Sequence, residues 1–449
     1  PVSYDELEPH LDMFEKVCGT SGKAGVIRGV VQPGGNPFEG SRSGDYPLGP
    51  NPNYLGAEWF YKAAREKGYH PYPIPASNAA GPYVNPYGCQ MGPCNACGFC
   101  SDYGCLNYSK ASPNICIMPV LRLRKNFELR THAQVLKVNL SSDGKKATGV
   151  TYLDSNGQET EQPADLVLLC AFSLYNVHLM LLSQIGKPYD PISNEGTVGR
   201  NYSYQNLNRV MMFYDQSVQA NGFIGIGGSG TTMDDLNGNQ LNNAQAGFVG
   251  GGIIWARQPG NGPVRGVAVP KGTPAWGSAW KKAASESFRH SFYYEVQGAC
   301  MSYQQNYLSL DPTWKDGFGR PLLRMTFDWQ PNEIKASQFL VGKAVDMCQV
   351  LNPKAITSDA KKDGAHYDIT KYQSTHTCGG AVMGSDPKKS ALNRYLQSWD
   401  VPNVFAIGAN AFPQNNGYNP TGLVGGLAYW AATAIREQYL KNPGPLVQA

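Results

Sequence analysis

VFAIGANAFPQNNGYNPTGLVG, residues 404–425, joins an apolar run, a turn rich in glycine and asparagine, and the start of a helix. Residues 404–407 predict a short buried strand, and a helix is expected over about 421–440. The first turn of a helix carries backbone N–H groups without partners inside the helix, and the helix dipole adds positive charge there. This stretch therefore predicts a site for an anionic group or a cofactor at the helix start.

Two other segments extend this pattern. The apolar run 165–170 predicts a strand buried on both faces, and 173–184 has helical spacing, so the two form a β-α unit. In THTCGGAVMG (375–384), His376 stands just before two glycines, where a ligand can approach the backbone closely. A lone histidine of this kind is more often structural than catalytic, so the pattern alone leaves the role of His376 open.

The remaining patterns predict a mixed α/β (α+β) chain with two domains. Alternating residues around the turns Asp143-Gly144 and Asn156-Gly157 indicate a small antiparallel meander. From 201 to 326, short alternating segments rich in glycine and aromatic residues indicate an antiparallel sheet that forms a second domain. Helices are expected over 3–18, 54–67 and 333–351, the last capped by Asn332.

A glycine motif at 225–230, GIGGSG, matches the GxGxxG phosphate fingerprint of dinucleotide-binding folds. The residues that follow it, TTMDDLNGNQ (231–240), are polar and rich in turn formers rather than helical. The strand-turn-helix context of the fingerprint is therefore missing. We interpret these glycines as part of a hairpin.

Five of the eleven cysteines lie within residues 89–105. They are Cys89, Cys94, Cys97, Cys100 and Cys105. Their spacing contains C-x4-C-x2-C and C-x2-C-x2-C, the loops of plant-type and bacterial ferredoxins, so an iron-sulfur cluster is the first interpretation. Zinc fits less well, because His70 and His132 lie far away in the sequence. Disulfides are the alternative in an exported protein, although neighbouring pairs would close strained loops.

Length and charge exclude several classes of protein. A chain of 449 residues exceeds what one hydrophobic core usually serves. The 38 basic and 34 acidic residues give a net charge of +4 without a long basic run, so no nucleic-acid partner is expected. The sequence contains no run of eighteen apolar residues, and no transmembrane span is predicted. Its first residues do not have the pattern of a cleavable leader.

Several motifs together resemble the glucose-methanol-choline (GMC) family of flavoprotein oxidoreductases. They are His376-x-x-Gly379-Gly380-x-x-Met383-Gly384, Pro402-Asn403-Val-Phe405, Gly408-Ala-Asn410 and Asn419-Pro-Thr421, in this order. SYDELEP (3–9) and Gly199-Arg-Asn201 resemble further segments, so the resemblance spans nearly the whole chain. The cysteine loop and FPQNNGYNPT (412–421) resemble in particular the membrane-associated sugar dehydrogenases of the gluconate 2-dehydrogenase type.

The resemblance implies hydride transfer from a carbon of a sugar, sugar acid or polyol to FAD. By position, it implies that His376 takes the hydroxyl proton and that Asn419 bonds the substrate oxygen. The implied FAD contacts are Val135, Cys170, Ala171, Gly408, Ala409, Asn410, Asn419, Pro420 and Thr421. The five loop cysteines are the implied iron ligands, with a 3Fe-4S cluster favoured over 4Fe-4S. Electrons would then pass to an external acceptor rather than to oxygen.

The resemblance also implies a domain division and a cellular setting. The FAD-binding domain would comprise 1–200, with the iron-sulfur loop at 88–106, and 376–449, with the catalytic His and Asn. The substrate-binding domain would comprise 201–330, and 331–375 its helix and return. A small chaperone-like subunit and a cytochrome c subunit are the implied partners. The implied location is the periplasm, peripheral to the inner membrane through those partners.

One departure from the family leaves other hypotheses open. The family's first strand, its GxGxxG turn and its ribose-binding acidic residue would lie upstream of Pro1, so an incomplete Rossmann-like FAD-binding domain is expected. A second hypothesis is therefore a non-catalytic iron-sulfur subunit for electron transfer or scaffolding. A third is a carbohydrate-binding protein stapled by zinc or disulfides. The cysteine spacing also differs from the CC-x4-C-x3-C of some sugar dehydrogenases, so the iron ligands stay open.

Overall fold

The computed structural model describes residues 2–100, 103–258, 267–371 and 375–448. The helices in these ranges are α1 (Tyr4–Cys18), α2 (Leu55–Glu66), α3 (Pro113–Cys116), α4 (Met118–Leu121), α5 (Ser173–Leu182), α6 (Asn243–Ala246), α7 (Ser278–Ser287), α8 (Pro331–Val350) and α9 (Thr421–Ala434). A π-helical segment, Ile435–Tyr439, continues α9. Short 3-10 turns lie at Ile369–Lys371 and Ala409–Ala411. Among the described helices, none has the length and apolar character that a membrane crossing requires.

The strands in the same ranges are β1 (Val26–Ile27), β2 (Val30–Val31), β3 (Tyr72–Pro73), β4 (Tyr83–Val84), β5 (Gln90–Met91), β6 (Gln134–Leu140), β7 (Ala147–Leu153), β8 (Glu159–Pro163), β9 (Val167–Leu169), β10 (Asn206–Phe213), β11 (Ile226–Met233), β12 (Gly252–Gln258), β13 (Ser291–Gly298), β14 (Tyr307–Lys315), β15 (Pro321–Thr326), β16 (Ala355–Ser358) and β17 (Val404–Ala406). They form one six-stranded sheet, one three-stranded sheet and several strand pairs. The predicted mixture of helices with antiparallel sheets is confirmed.

The largest sheet has the order β16-β10-β13-β12-β11-β3, and all of its pairs are antiparallel. Val210, Ile254 and Tyr294 on one face pack with α2 and α8 in a buried core. Successive side chains of a strand point to opposite faces. The other face therefore carries Arg209 of β10, Trp255 and Arg257 of β12, and Glu295 and Gln297 of β13. We call it the site face.

Helices α1 and α9 pack tightly against each other. Ser3 caps α1 in a reciprocal capping box with Glu6, which stabilises the first turn of this predicted helix. On α9, a Cβ at Gly425 would lie 2.3 Å from the ring of Phe14, and one at Gly426 would lie 2.6 Å from the side chain of Leu11. The two glycines thus allow α1 to approach, and this contact holds the start of α9 in place.

Strands β9 and β17 form a parallel pair in register, with Phe405 opposite Leu168. Helix α5 follows β9 directly, which confirms the predicted β-α unit. The prediction of a strand buried on both faces is wrong for Leu168, whose side chain is 46% exposed. The carboxyl ends of both strands point to the loops 170–172 and 407–411.

The structure also corrects two local predictions. Gly227, Gly228 and Gly230 lie inside β11 and not at a turn; β11 pairs antiparallel with the next strand, β12, and Gly230 follows an irregularity in this pairing. A turn rather than a helix follows Met233, so the motif is not a dinucleotide turn. Helix α8 begins at Pro331 after Gln330, and the predicted cap Asn332 instead bonds the backbone of residue 249. The predicted meander is confirmed as β6, β7 and β8.

Candidate active site

His376 is held through both its backbone and its ring. Its φ is 60°, a left-handed conformation that residues other than glycine rarely adopt and that is enriched at functional sites. Its carbonyl oxygen accepts a 2.8 Å hydrogen bond from Nδ2 of the buried Asn415. Its ring nitrogen Nδ1 lies 3.0 Å from Nε2 of Gln297. The imidazole is thus fixed between the loop after β17 and the site face.

The glycines that follow His376 bring its segment close to a neighbouring turn. At Gly379, where φ is +78°, a Cβ would lie 1.9 Å from the carbonyl oxygen of Asn201. At Gly380, where φ is +91°, it would lie 2.8 Å from the side chain of Val177. Neither position has room for a side chain, so the segment packs with its bare backbone on the turn 199–201.

Burial and charge keep the imidazole neutral. Burial, together with the guanidinium of Arg257, lowers the pKa of His376 to about 4, and the carboxylate of Glu295 only partly opposes this. A neutral imidazole has one ring nitrogen that donates a proton and one that accepts. His376 is therefore in the form that a general base requires at neutral pH.

Polar groups of the site face lie next to this imidazole. Gln297 is fully buried, and Glu295, two residues earlier on the same face of β13, is 1% exposed. Nε of Arg257 donates to Oε2 of Glu295, and Nη2 of Arg209 lies 3.4 Å from Oε1 of the same carboxylate. A substrate facing His376 would therefore meet an amide and a cluster of charged groups on the opposite wall.

The side-chain amide of Asn176 joins the loops after β9 and β17, which contain most of the predicted FAD contacts. The backbone N–H of Ala171 donates to Oδ1 of Asn176 at 2.8 Å. Nδ2 of Asn176 donates to the side-chain oxygen of Asn410 at 2.8 Å and to the carbonyl of Ile407 at 3.1 Å. Asn176 is fully buried, so this bridge fixes the loops after β9 and β17 side by side.

The start of α9 offers donors to a ligand. Pro420 is its N-cap and makes no side-chain cap bond, while Asn419, Thr421 and Gly422 are exposed. The first N–H groups of this helix therefore remain available beside Asn419. Tyr418, the preceding residue, packs against a cluster of Ile74, Ile253 and Trp255, the last of which belongs to the site face. This contact places the Asn419 loop over the same sheet that faces His376.

The predicted FAD contact Val135 lies apart from these loops. It is part of β6 in the three-stranded sheet, and its carbonyl oxygen accepts a 3.3 Å bond from Nη1 of Arg320. The role of Val135 at the cofactor stays a prediction. The roles of His376 and Asn419, and the division of the chain into domains, stay predictions as well.

Comparison with known proteins shows the family. Two family models described as GMC oxidoreductase match residues 59–206 and 302–428. The gluconate 2-dehydrogenase flavoprotein of Pantoea cypripedii is 56% identical over 451 residues, which cover 100% of this chain and 73% of that protein. The chain belongs to the GMC oxidoreductase family. It is a flavoprotein oxidoreductase of the dehydrogenase type, with FAD as the cofactor of its family.

More distant members of the family align over nearly the whole chain. A 2-methyl-1,2-propanediol dehydrogenase of Mycolicibacterium austroafricanum is 26% identical over 98% of this chain and 75% of its own length. The fructose dehydrogenase large subunit of Gluconobacter japonicus is 22% identical over 97% of this chain and 74% of its own. The crystal structure of pyridoxine 4-oxidase from Mesorbium loti shares the fold, with a TM-score of 0.56 and 13% identity over 97% of this chain and 78% of that one.

The residues present fit the cofactor of the GMC family. Cys170 is exposed at the carboxyl end of β9, and Phe172 is 44% exposed in a left-handed conformation with φ of 74°. Ligands of open α/β sheets bind outside the carboxyl ends of the strands. Asn410 beside this end and Thr421 at the start of α9 complete a polar cradle, and these residues would hold FAD.

Polar groups contact sulfur atoms in the described part of the cysteine loop. Sγ of Cys94 accepts from the backbone N–H of Ala96 at 3.5 Å, and Sγ of Cys100 accepts from Nδ2 of Asn78 at 3.8 Å. Burial raises the pKa of Cys105, but the backbone N–H groups of residues 110, 109 and 107, with the charge of Lys110, outweigh it and lower the pKa.

Across the part of the chain that the structure describes, no three His, Cys, Asp or Glu side chains are arranged to hold a metal ion. The five cysteines do not share one environment. Cys89 is buried and Cys97 is exposed, while Cys94, Cys100 and Cys105 have intermediate exposure. Burial raises the pKa of Cys94, and Cys100 and Cys105 both act on it electrostatically. The iron-sulfur prediction is thus not supported by a formed metal site.

Sequence reasoning missed several residues of the site. Gln297 and Arg257 lie on strands whose alternation was predicted, but the pattern does not say which face meets His376. Asn415 and Asn176 are buried amides that bond backbone atoms of distant segments. The only signal for Asn415 was its place in the stretch 412–421, which resembles the family.

Proposed function

We propose that this chain is the FAD-dependent catalytic subunit of a dehydrogenase that oxidises a hydroxyl group of a sugar acid, sugar or polyol. The observation that carries the proposal is the buried, neutral imidazole of His376, which faces polar groups of the site face. The same chain also provides the loops that would hold the cofactor. The name of the relative that is 56% identical makes gluconate the first substrate to test.

The residues of the chain divide the reaction among them. The bound FAD would supply the acceptor for the hydride that leaves the carbon with the hydroxyl group. His376 takes the hydroxyl proton on Nε2 when the Gln297 amide presents its oxygen, instead of its nitrogen, to Nδ1. Asn419 donates a hydrogen bond to the substrate oxygen as negative charge develops there. The N–H groups at the start of α9 supply positive potential beside Asn419.

The experiment is anaerobic reduction of the bound flavin by gluconate in wild-type protein and in His376→Ala, with FAD content measured in both. We expect the wild-type flavin to bleach and the variant to keep FAD but to lose at least about a thousandfold in rate. Leu440→Ala, at a surface side chain that is 61% exposed, is the matched control and should react as the wild type does. A wild-type rate in His376→Ala would remove His376 from the mechanism.

We further propose that the cysteine loop binds an iron-sulfur cluster with Cys94, Cys100 and Cys105 as ligands, and that electrons leave towards a cytochrome c subunit. Support comes from the N–H groups directed at each of these three sulfur atoms, because such hydrogen bonds tune iron-sulfur centres. The same proposal includes a small chaperone-like partner and a periplasmic location beside the inner membrane. Iron and flavin quantitation on the purified complex tests it, and protein that holds iron but no flavin would favour the electron-transfer subunit instead.

A further inference from the structure

A cluster of charged groups lies on the site face. The carboxylate of Glu295 is 1% exposed and is shared by two guanidinium groups. The side chain of Arg257 is 29% exposed, and that of Arg209 is 49% exposed. Arg209 also lies next to a second carboxylate, because its backbone N–H donates to Asp359 and its charge acts on that group. Arg257, the less exposed arginine, contacts Glu295 from the side of the sheet that faces His376.

The contact with Glu295 leaves Arg257 able to bind a second group. It uses Nε, and the guanidinium carries further N–H groups on its two Nη atoms. The planar fork of an arginine matches the two oxygens of a carboxylate. Glu295 fixes the orientation of this fork from the buried side. A guanidinium held in this way is preorganised to bind an anion on the side opposite to Glu295.

Arg257 lies within electrostatic range of the proposed base. Its charge contributes to the lowered pKa of His376, second only to burial. Gln297, which contacts His376, is two residues from Glu295 on the same face of β13, so the two side chains start about 7 Å apart. Arg257 and His376 therefore act on the same part of the site face.

Trp255 supplies a second, independent sign of a ligand at this place. Its indole ring lies under the Arg257 guanidinium, with 5.3 Å between Cζ and the ring centroid. The side chain is 4% exposed, yet its Nε1–H has no hydrogen-bond partner among the described residues. A buried donor without an acceptor is costly unless a ligand or water completes it.

We propose that Arg257 binds the carboxylate of the substrate, which makes the substrate a 2-hydroxy acid of the aldonic acid class. This inference rests on the proposed function and goes beyond it by naming the residue that selects an acidic substrate over a neutral sugar or polyol. In such a molecule the carboxylate is attached to the carbon that carries the reacting hydroxyl. One end of the substrate then contacts His376 while the adjacent end contacts Arg257, and hydride leaves from the carbon between them.

The test compares gluconate with gluconamide, which has the same chain of hydroxyl groups but no charge. Flavin reduction is measured with the purified complex for wild type, Arg257→Gln and Arg257→Lys. Arg436→Gln, a surface position that is 73% exposed, controls for the loss of one positive charge. FAD content and thermal unfolding establish that each variant is folded.

We expect wild-type kcat/KM to favour gluconate over gluconamide by about 100-fold, the value of one charge-assisted contact to a carboxylate. Arg257→Gln should reduce this preference to about threefold, mostly through a higher KM for gluconate, whereas its effect through the pKa of His376 should change kcat for both compounds equally. Arg257→Lys keeps the charge without the fork, so it should retain a preference of about tenfold. Arg436→Gln should match the wild type.

Equal losses for both compounds in Arg257→Gln would show a merely structural ion pair and would overturn the inference, while the proposed function would stand. If Arg257→Gln does not fold, the wild type decides: oxidation of gluconamide as efficient as that of gluconate overturns the inference. A wild-type flavin that neither compound nor any neutral sugar or polyol bleaches would overturn the proposed function itself, and the inference with it.

Discussion

Nε2 of Gln297 lies 3.0 Å from Nδ1 of His376, and Oε1 of the same fully buried amide has no hydrogen-bond partner among the described residues. An amide nitrogen that donates to Nδ1 places the imidazole proton on Nε2. Half a turn of the amide brings Oε1 to Nδ1, which then donates its proton and leaves Nε2 free to accept one. Gln297 therefore sets which ring nitrogen is the base.

Replacement of Gln297 should affect the rate more than substrate binding. We expect Gln297→Met, which keeps the volume but not the amide, to slow flavin reduction roughly 10- to 100-fold with little change in KM. Gln297→Glu keeps an acceptor at Nδ1 and should retain more activity, with a higher pKa for His376 because a carboxylate stabilises the imidazolium. Stopped-flow reduction over a range of pH measures both effects. A wild-type rate in Gln297→Met would show that the contact does not position the base.

The pKa of His376 predicts where activity is lost in acid. Since burial and Arg257 lower it from 6.5 to about 4, flavin reduction by a neutral polyol should be nearly constant between about pH 8 and 6 and should fall tenfold per unit below about pH 4. Arg257→Gln removes one of the two causes, so its acid limb should move to higher pH. If the rate of this variant falls at the same pH as in the wild type, Arg257 does not influence the pKa of His376.

The same shift links stability to pH. The folded pKa lies below the unfolded one, so between pH 6.5 and about 4 the unfolded chain binds a proton that the folded chain does not. Stability is therefore full above pH 6.5 and is lost as the pH falls through this window, by about 1 kcal/mol per unit. His376→Asn lacks the titrating group, and its unfolding free energy should depend less on pH by this amount. Parallel pH profiles for both proteins would contradict the assignment.

Two glycines with similar backbone conformations predict how tightly the His376 segment is packed. A Cβ at Gly379 would lie 1.9 Å from the carbonyl oxygen of Asn201, whereas one at Gly364 would meet no atom of the described residues within 4 Å. Gly364→Ala should cost about 1 kcal/mol, because only the positive φ of +72° is unfavourable. Gly379→Ala adds a clash with backbone and should cost at least about 3 kcal/mol. Denaturant unfolding of the two variants measures the difference, and equal losses would show that the close approach relaxes easily.

The sequence was sufficient for elements whose signals are local. The capping box at Ser3 and Glu6 gave the start of α1, and Gly19 gave its end. The short turns at Gly144 and Gly157 gave the meander of β6, β7 and β8. In each case the residues that form the element also determine its limits.

Features that depend on distant contacts were not predictable. Leu168 belongs to an apolar run, but the run does not reveal that one of its faces is 46% exposed. Gln297 meets His376, 79 positions later, only because the register of β13 with β10 and β12 turns it to the site face. A shift of one residue would have turned the alternate set of side chains towards the base. The motif that resembles the family identified His376, but it did not identify the residues of the site face that lie next to it.

Cysteine replacement distinguishes the proposed iron ligands from the other loop thiols. We expect Cys94→Ser, Cys100→Ser and Cys105→Ser each to lose iron and electron transfer to an external acceptor by at least about 100-fold, because each removes a thiolate ligand. Gluconate should still bleach the flavin, since His376 and the cradle around Asn176 are unchanged. Cys97→Ser is the matched control in the same loop: Cys97 is exposed, and its backbone bridges to Gly225. Iron analysis, visible spectra and acceptor turnover measure the outcome, and full iron content in all of the first three variants would exclude this ligand set.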